Sequence, residues 1–530
     1  MTDALQSPRF RTASDFMDHV PVHVVWEITL ACNLHCQHCG SRAGKRRPGE
    51  LTTDECLEVV ESLARLGTRE ITLIGGEAFL RKDWTEIVRA IRGHGMYCAV
   101  QTGGWAFTAK RLEDGIAAGL QGIGVSIDGM REMHDRVRGV RGAWDNALDV
   151  LRRARDAGLN RSVNTQIGPE TPGQLRELMH TIIDAGAKQW QLQLTVAMGN
   201  AVDNDGLLLQ PHQLHTLFPL LAELADEGAE RDFTMVVGNN IGYFGPYEHR
   251  LRGIVHPDVH WTGCSAGQNV IGIEADGTVK GCPSLPTIGY AGGNVRRMSV
   301  EDIWNTRPEM HFGRLRGKED LWGFCRGCYY ADVCRAGCTW TSHSLLGRPG
   351  NNPYCHHRVL ELRKQGLRER IRKVEGAANA SFAVGRFELV LEEIPADESA
   401  PEGRVVDTTD RVLVPLLRKP IAGMDRGAAT GAGRLPEDLV ICRACDRHVY
   451  PEETACPHCG ADVAAARAVY EVERARRRAV MDRLATLLDA QAARERAAAP
   501  GPAIASRAAC ASSSVASRSM TARRRARSTS

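Results

Sequence analysis

The stretch Ala31–Gly40, A-C-N-L-H-C-Q-H-C-G, constrains this chain more than any other. Cys32, Cys36 and Cys39 stand as C-x3-C-x2-C. Three thiolates cannot close a structural zinc site alone, because that site takes four ligands. They can hold three irons of a [4Fe–4S] cube and leave the fourth iron open. The opening M-T-D-A-L-Q-S-P-R-F lacks the apolar core of a secretory signal. The 17 cysteines of the chain therefore point to metal ligation in a reducing cytoplasm, not to a disulfide framework. A net charge of +3 gives no basic signal for nucleic acid. No run of about 18 apolar residues marks a membrane span. At 530 residues, 43% of them hydrophobic, the chain is long enough for two or three domains with real cores.

The cysteine loop follows a β-branched apolar run, Pro21–Thr29, which reads as a first buried strand. The loop thus falls at the carboxyl end of a strand, where α/β barrels carry their ligand sites. A helix is expected over Thr52–Leu66, with Cys56 on its apolar face as a core residue. Strands are expected at Glu70–Ile74, Tyr97–Gln101, Gly122–Ile127, Arg161–Ile167 and Gln189–Val196, and helices at Thr108–Ala118, Ala143–Ala157 and Leu175–Ala185. The alternation predicts an α/β fold, a partial and open (β/α)6 barrel whose lateral mouth suits a large substrate.

The cysteine spacing resembles the signature of the radical S-adenosylmethionine (radical SAM) superfamily. In that family the open iron chelates the amino and carboxylate groups of SAM, and one electron cleaves SAM to a 5′-deoxyadenosyl radical. The protein supplies position, electronics and exclusion of side reactions. Gly75-Gly76-Glu77, after the second strand, resembles the element that binds the methionyl amino group. Glycine permits close backbone approach, and a carboxylate pairs with an ammonium. Ala78 stands where the family usually has proline. Ser126-Ile127-Asp128-Gly129 resembles the family segment near the SAM ribose, and His134–Gly139 resembles its H-D-x-x-R-G stretch, which contains Arg138. Arg136 and Arg138 also fit an ordinary ion pair. Asn164 on the fifth strand and Met198 after the sixth complete the candidate cofactor contacts.

A second cysteine array follows. Cys264, twelve residues, Gly277, four residues and Cys282 precede Cys325, Cys328, Cys334 and Cys338, spaced C-x2-C-x5-C-x3-C, and Cys355 comes last. Val270–Lys280, with Asp276-Gly277 inside it, reads as a β-hairpin. The pattern resembles the seven-cysteine SPASM domain of radical SAM maturases. That resemblance assigns Cys264, Cys282 and Cys338 to auxiliary cluster I, and Cys325, Cys328, Cys334 and Cys355 to auxiliary cluster II. Many relatives carry an eighth cysteine just before the first; here the region holds His256, Asp258 and His260 instead. Cluster I is left with an open iron, a histidine ligand or a substrate ligand. Pro283 follows Cys282 where anaerobic sulfatase maturases place an aspartate base, which disfavours that activity. The quinone-cofactor maturase uses an aspartate in cluster II, whereas this chain offers four cysteines. Too few residues precede Cys32 for a winged-helix peptide-recognition domain.

Beyond the array, residues 361–374 read as a basic amphipathic helix, and Phe382–Glu393 as a strand with an exposed polar face. Cys442-x2-Cys445, ten residues and Cys456-x2-Cys459 form a zinc-ribbon pattern, with zinc favoured over rubredoxin-type iron. Its expected role is partner or precursor docking, or capping of the fold. The implied domains are an N-terminal tail (1–20), a radical SAM partial barrel (21–245), a SPASM domain (246–375), an extension and linker (376–437), a zinc ribbon (438–462), a helix (463–498) and a disordered tail (499–530). Cys510 in the tail reads as a free thiol.

The resemblance implies a cytoplasmic radical SAM/SPASM maturase of a ribosomally made peptide, with SAM, three [4Fe–4S] clusters and one zinc ion as cofactors. It further implies an external flavodoxin- or ferredoxin-type electron donor and a separate leader-recognition protein, with no nucleic acid or membrane partner. Two rivals stand beside it: a maturase of an enzyme subunit's active site, and a noncatalytic iron–sulfur scaffold or electron carrier. The G-G-E and S-I-D-G elements speak against the carrier, which needs no SAM pocket.

Overall fold

The computed structural model describes residues 8, 9, 15, 18–252, 260–408, 439–465 and scattered positions between 467 and 475. Most of the expected helix 463–498, the tail 499–530 with Cys510, most of the linker, His256 and Asp258 lie outside the described residues.

Seven parallel strands run side by side in chain order: β1 (His23–Glu27), β2 (Glu70–Ile74), β3 (Tyr97–Thr102), β4 (Gly122–Ser126), β5 (Asn160–Ile167), β6 (Gln189–Leu194) and β7 (Thr234–Val237). Strands buried on both faces read as apolar runs, and Val24, Trp26, Ile71, Leu73, Val100, Val125, Val163 and Leu192 are all essentially inaccessible. The helices that pack on them are α1 (Thr53–Arg65), α2 (Trp84–Gly93), α3 (Ala109–Ala117), α4 (Arg131–Arg138), α5 (Ala143–Asp156), α6 (Leu175–Asp184) and α7 (Leu214–Glu230). Cys56 lies buried in α1, as its place on the apolar face implied. Helix starts follow local chemistry. Thr52 and Glu55 form a reciprocal capping box at α1, worth about 1 kcal/mol, and Thr108 caps α3.

The sheet departs from the six expected strands. β7 adds a seventh parallel strand at one edge. At the other edge β8 (Val270–Ile273) pairs in parallel with β1, and β9 (Thr278–Lys280) and β10 (Ala291–Asn294) continue antiparallel, giving ten strands in one sheet. The expected hairpin over 270–280 is present, turning at Gly277 with φ +86°. It is fused to the barrel sheet. Local pattern cannot show this, because β8 reaches the free edge of β1 from about 245 residues away in sequence.

The expected helix over 361–374 is not formed. Helix α8 (His356–Arg363) stops, Gly366 turns the chain at φ +71°, and Leu367–Glu375 is strand β11. It pairs antiparallel with β12 (Arg386–Glu393), which pairs with β13 (Val405–Thr408). The basic residues alternate and meet acids across the ladder. Arg368 lies 2.8 Å from Glu392 with both side chains buried, and Arg372 pairs with Glu388. Cross-strand charge pairs reward a strand as i,i+4 pairs reward a helix. The polar side of β12 is therefore partly buried, and the strand begins at Arg386, not Phe382. No described helix is long and apolar enough to cross a membrane.

Candidate functional site

The cysteine loop is held by groups on several different elements. Helix α4 ends with carbonyls that lack intrahelical partners. Two of them accept from the loop: His35 N donates to Arg138 O at 3.1 Å, and Gln37 N to Val137 O at 2.8 Å. Gly139 caps α4 at φ +69°, and a Cβ there would stand 2.5 Å from His35 O. Glycine is thus required by both conformation and approach. On the other side Asn200 N donates to Cys39 O at 3.0 Å, and Asn200 Nδ2 to Cys36 O at 2.9 Å. Backbone amides also face the sulfurs: Leu34 N lies 3.4 Å from Cys32 Sγ, and Ala43 N 3.3 Å from Cys39 Sγ. Hydrogen bonds of this kind tune the potential of an iron–sulfur cluster.

Gly75 and Gly76 bring β2 against the loop. A Cβ on Gly75 would lie 2.3 Å from Thr29 O, and one on Gly76 2.2 Å from Ala31 O and 2.6 Å from Cys32 Cβ. Glu77 follows, buried, accepting from Thr102 Oγ1 at 2.5 Å and Gly103 N at 2.6 Å. Burial pushes its carboxyl up to about 7 despite those donors. A bound ammonium would favour the charged form.

Arg138 is buried, with Nη1 3.7 Å from Cys36 Sγ and Nη2 2.7 Å from Asp128 Oδ2. Of the two arginines in that stretch, Arg136 makes the ordinary surface pair, with Glu170 at 2.7 Å, and Arg138 serves the loop. Asp128, a candidate cofactor contact, is engaged by donors of the protein itself. Its Oδ1 accepts from Gln166 N at 3.0 Å, and its Oδ2 from Arg138 and from His38 Nε2 at 2.8 Å. Although burial opposes ionisation, Arg138 and His38 hold the carboxyl well below its usual range. Asp128 therefore fixes Arg138 beside Cys36 in place of presenting a free carboxylate to a ligand. His134 donates nothing to it; its Nδ1 accepts from Asp128 N at 3.1 Å, and burial lowers the imidazole to about 4.

Ser126 and Asn164 sit opposite each other in the β4–β5 register. Asn164 Oδ1, Gln101 Oε1, His38 Nδ1 and Arg138 Nε are buried without hydrogen-bond partners. Buried polar atoms are rarely left so, and these belong to the carboxyl-end strands and the loop beside them. Met198 is buried against Gly40. The donor set fits a cluster with a ligand on it: three clustered thiols, N–H groups aimed at sulfur, one guanidinium for the anionic charge, and orphan polar atoms alongside. Sequence reasoning placed Asn200 beside the sixth-strand contacts but missed His38 and Arg42, whose Nη1 donates to Asn200 Oδ1 at 2.8 Å. His38 lies within the cysteine motif, yet only the pairing of distant segments shows what it and Arg42 touch.

In the second array, Cys325, Cys328, Cys334 and Cys355 line one small pocket, with Tyr243, Phe244, Phe324 and Tyr330 around it. Burial raises the Cys264, Cys282 and Cys338 thiols, Cys338 stands near enough to raise Cys264 and Cys282 further, and the Arg316 charge stands beside Cys264 and Cys338. His260 packs on Phe244 and His448, and its Nε2 faces Leu439 N at 3.5 Å.

The ribbon cysteines differ in scale. All four sulfurs lie within 4.8 Å of one another, with Cys442–Cys459 and Cys445–Cys456 each at 3.7 Å. A tetrahedron with Zn–S near 2.3 Å has edges of about 3.8 Å. This is a one-ion site. The two ribbon strands, β14 (Val440–Ile441) and β15 (His448–Val449), pair antiparallel. The ribbon sits on the SPASM loop: Tyr330 Oη donates to His448 O at 2.6 Å and meets His458 Nε2 at 2.9 Å, and Arg447 Nη1 reaches Glu361 at 2.6 Å. His357, Glu361 and His458 also converge, but Arg447 and Lys364 already supply the cations for Glu361. A Cys456→Ser variant of the full chain is expected to lose one zinc in metal analysis and to melt at a lower temperature, because the metal folds the ribbon. Unchanged zinc would contradict the assignment.

Three family models match this chain in order: the radical SAM superfamily over residues 26–182, the SPASM iron–sulfur cluster-binding domain over 264–329, and the ChsH2 rubredoxin-like zinc ribbon over 440–464. The chain carries a radical SAM domain followed by a SPASM domain, and it is an enzyme. It is 27% identical over 362 residues to the AdoMet-dependent heme synthase of Methanosarcina barkeri, covering 64% of this chain and 98% of that one. It is 28% identical to the PqqA peptide cyclase of Bradyrhizobium diazoefficiens, covering 70% and 95%. Streptococcus suis SuiB, in its crystal structure with precursor peptide SuiA, shares the fold with a TM-score of 0.50 at 15% identity, covering 67% of this chain and 78% of that one. The radical SAM match spans the G-G-E, S-I-D-G and H-D-x-x-R-G elements, and the SPASM match begins at Cys264.

Proposed function

We propose that this radical SAM enzyme modifies a ribosomally synthesised precursor peptide. The observation that carries the reading is the single sheet joining two cysteine centres. β1 runs into the Cys32 loop, β8 pairs in parallel with β1, and β9, antiparallel to β8, leads to Cys282. One sheet thus carries both the strand before the radical loop and the strand before an auxiliary-cluster cysteine. The named peptide cyclase and the peptide-bound SuiB relative support the same substrate class.

In this reading Cys32, Cys36 and Cys39 hold the radical SAM cluster. Cys264, Cys282 and Cys338 hold auxiliary cluster I, Cys325, Cys328, Cys334 and Cys355 hold auxiliary cluster II, and the ribbon holds zinc, making three [4Fe–4S] clusters and one ion. With SAM, the first cluster supplies a 5′-deoxyadenosyl radical. Gly75 and Gly76 let β2 approach the ligand, and Glu77 accepts the methionyl ammonium. Ser126, Asn164 and Met198 line the SAM site. Arg138, oriented by Asp128, balances the charge at Cys36. The work is cytoplasmic, with an external low-potential electron donor and a separate leader-recognition protein.

The test combines anaerobically reconstituted protein, SAM, dithionite and the short peptide encoded beside this gene. A mass change in the peptide that requires SAM is expected; an unmodified peptide overturns the reading. The heme synthase relatives favour a second reading, a tetrapyrrole substrate, and a haem precursor in the same assay discriminates the two.

In this reading auxiliary cluster I has three cysteines, and its fourth position is open to a histidine, His256 or His260, or to a substrate thiolate. With Cys32, Cys36 and Cys39 removed, its reduced spectrum is expected to change on adding a cysteine-containing precursor peptide. A spectrum indifferent to peptide but altered by His256→Ala or His260→Ala would mean that the protein closes the site itself.

A further inference from the structure

Between β11 and β12 the chain leaves its hairpin and crosses the cysteine loop. Phe382 N donates to Gly40 O at 3.1 Å, Gly199 N donates to Ala383 O at 2.8 Å, and Met198 and Val384 form an antiparallel bridge. Residues 382–384 are thus tied by backbone to both Gly40, next to Cys39, and the turn after β6. Gly385 lies so close to Val202 that a Cβ would stand 2.5 Å from Cγ1. Lys373, at the base of the strap, anchors it by donating to Val202 O at 3.1 Å and Asp205 Oδ1 at 2.6 Å.

Phe382 adopts φ +57°, a conformation that non-glycine residues rarely take. Its half-buried ring is held by charge. Lys280 Nζ lies 3.9 Å from the ring centroid and Arg47 Cζ 6.0 Å. Both cations belong to one ion network: Lys280 with Glu274 at 2.7 Å, and Arg47 with Glu27 at 2.9 Å and Glu274 at 3.4 Å. Lys280 is fully buried and stands two residues before Cys282. The ring therefore bridges the Cys39 turn and the strand leading to Cys282. Such strained, over-determined residues cluster at functional sites, and cations over a ring face fix its position.

We propose that Phe382 is a specificity-determining wall residue of the substrate chamber, closing the space between the radical SAM cysteine loop and the Cys282 strand. It rests on the reading that Cys32, Cys36 and Cys39 hold the radical cluster. The ring limits the width of substrate admitted and keeps water from the radical site.

The test uses the reconstituted full chain with SAM and dithionite and no other substrate. It measures 5′-deoxyadenosine formation, and the SAM-dependent change in the electron paramagnetic resonance of the reduced cluster. Phe382→Gly suits the backbone conformation and removes the wall, so substrate-free 5′-deoxyadenosine formation is expected to rise roughly tenfold, with the SAM-dependent spectrum unchanged. Phe382→Trp, which keeps an aromatic face, is expected to match the wild type. A Phe382→Gly rate equal to wild type overturns the proposal, as does an equal rise in Phe382→Trp. A wild type that forms no 5′-deoxyadenosine and shows no SAM-dependent spectrum overturns the cluster reading, and this proposal with it.

Discussion

Replacing Cys32, Cys36 and Cys39 together by alanine is expected to reduce reductive SAM cleavage to background, while iron at the later cysteines stays. The reason is local. The three thiols share one loop, and Leu34 N and Ala43 N already face two of the sulfurs. Without the thiols the loop keeps only the His35 and His38 imidazoles, and His38 is engaged by Asp128 at 2.8 Å, too few ligands for a four-iron cluster. The later cysteines are independent, since Cys325, Cys328, Cys334 and Cys355 line their own cavity. Iron should fall by about four atoms per chain, with the zinc content unchanged. A triple variant that still produces 5′-deoxyadenosine would refute the assignment.

Asp128→Ala should have the second largest effect, on the stability of the loop. The carboxylate is 1% exposed and takes hydrogen bonds from Arg138, His38 and Gln166 N. Its removal leaves Arg138 buried and unpaired, and breaking a buried pair from one side costs about 3–5 kcal/mol. The variant should melt earlier and lose iron from the first cluster before the others. The sign with pH follows from the depressed carboxyl. Its contribution is fully present above the unfolded carboxylate range, near pH 4, and is lost only as pH falls below it. Between about pH 6 and pH 8 the difference from wild type should therefore be flat. A difference that grows steadily across that window would assign the effect to another group.

The contrast between Arg136 and Arg138 shows where sequence reading stops. Both lie in H-D-R-V-R-G on one short helix. One makes a surface pair and the other reaches the Cys36 thiol, and the choice depends on which face of α4 meets the loop. The 361–374 segment shows a different limit. Its charges and apolar residues fit a helix as well as a strand, and the decision came from acids on β12 that lie 14 or more residues away. Ten residues of that same hairpin then form the strap over the cysteine loop, which no periodicity marks.

Cysteine spacing, glycine at close approaches and the alternation of strand and helix are properties of short segments, so the sequence alone determined the loop chemistry, the barrel class and the one-ion ribbon. Tertiary structure decided the rest: β8 on the edge of β1, Asp128 turned toward Arg138 and His38, His260 drawn to the ribbon, and Phe382 laid between the Cys39 turn and Lys280. Each of these joins residues tens to hundreds of positions apart, where the partner is set by which edges and buried charges the folded chain leaves unsatisfied, not by any local pattern.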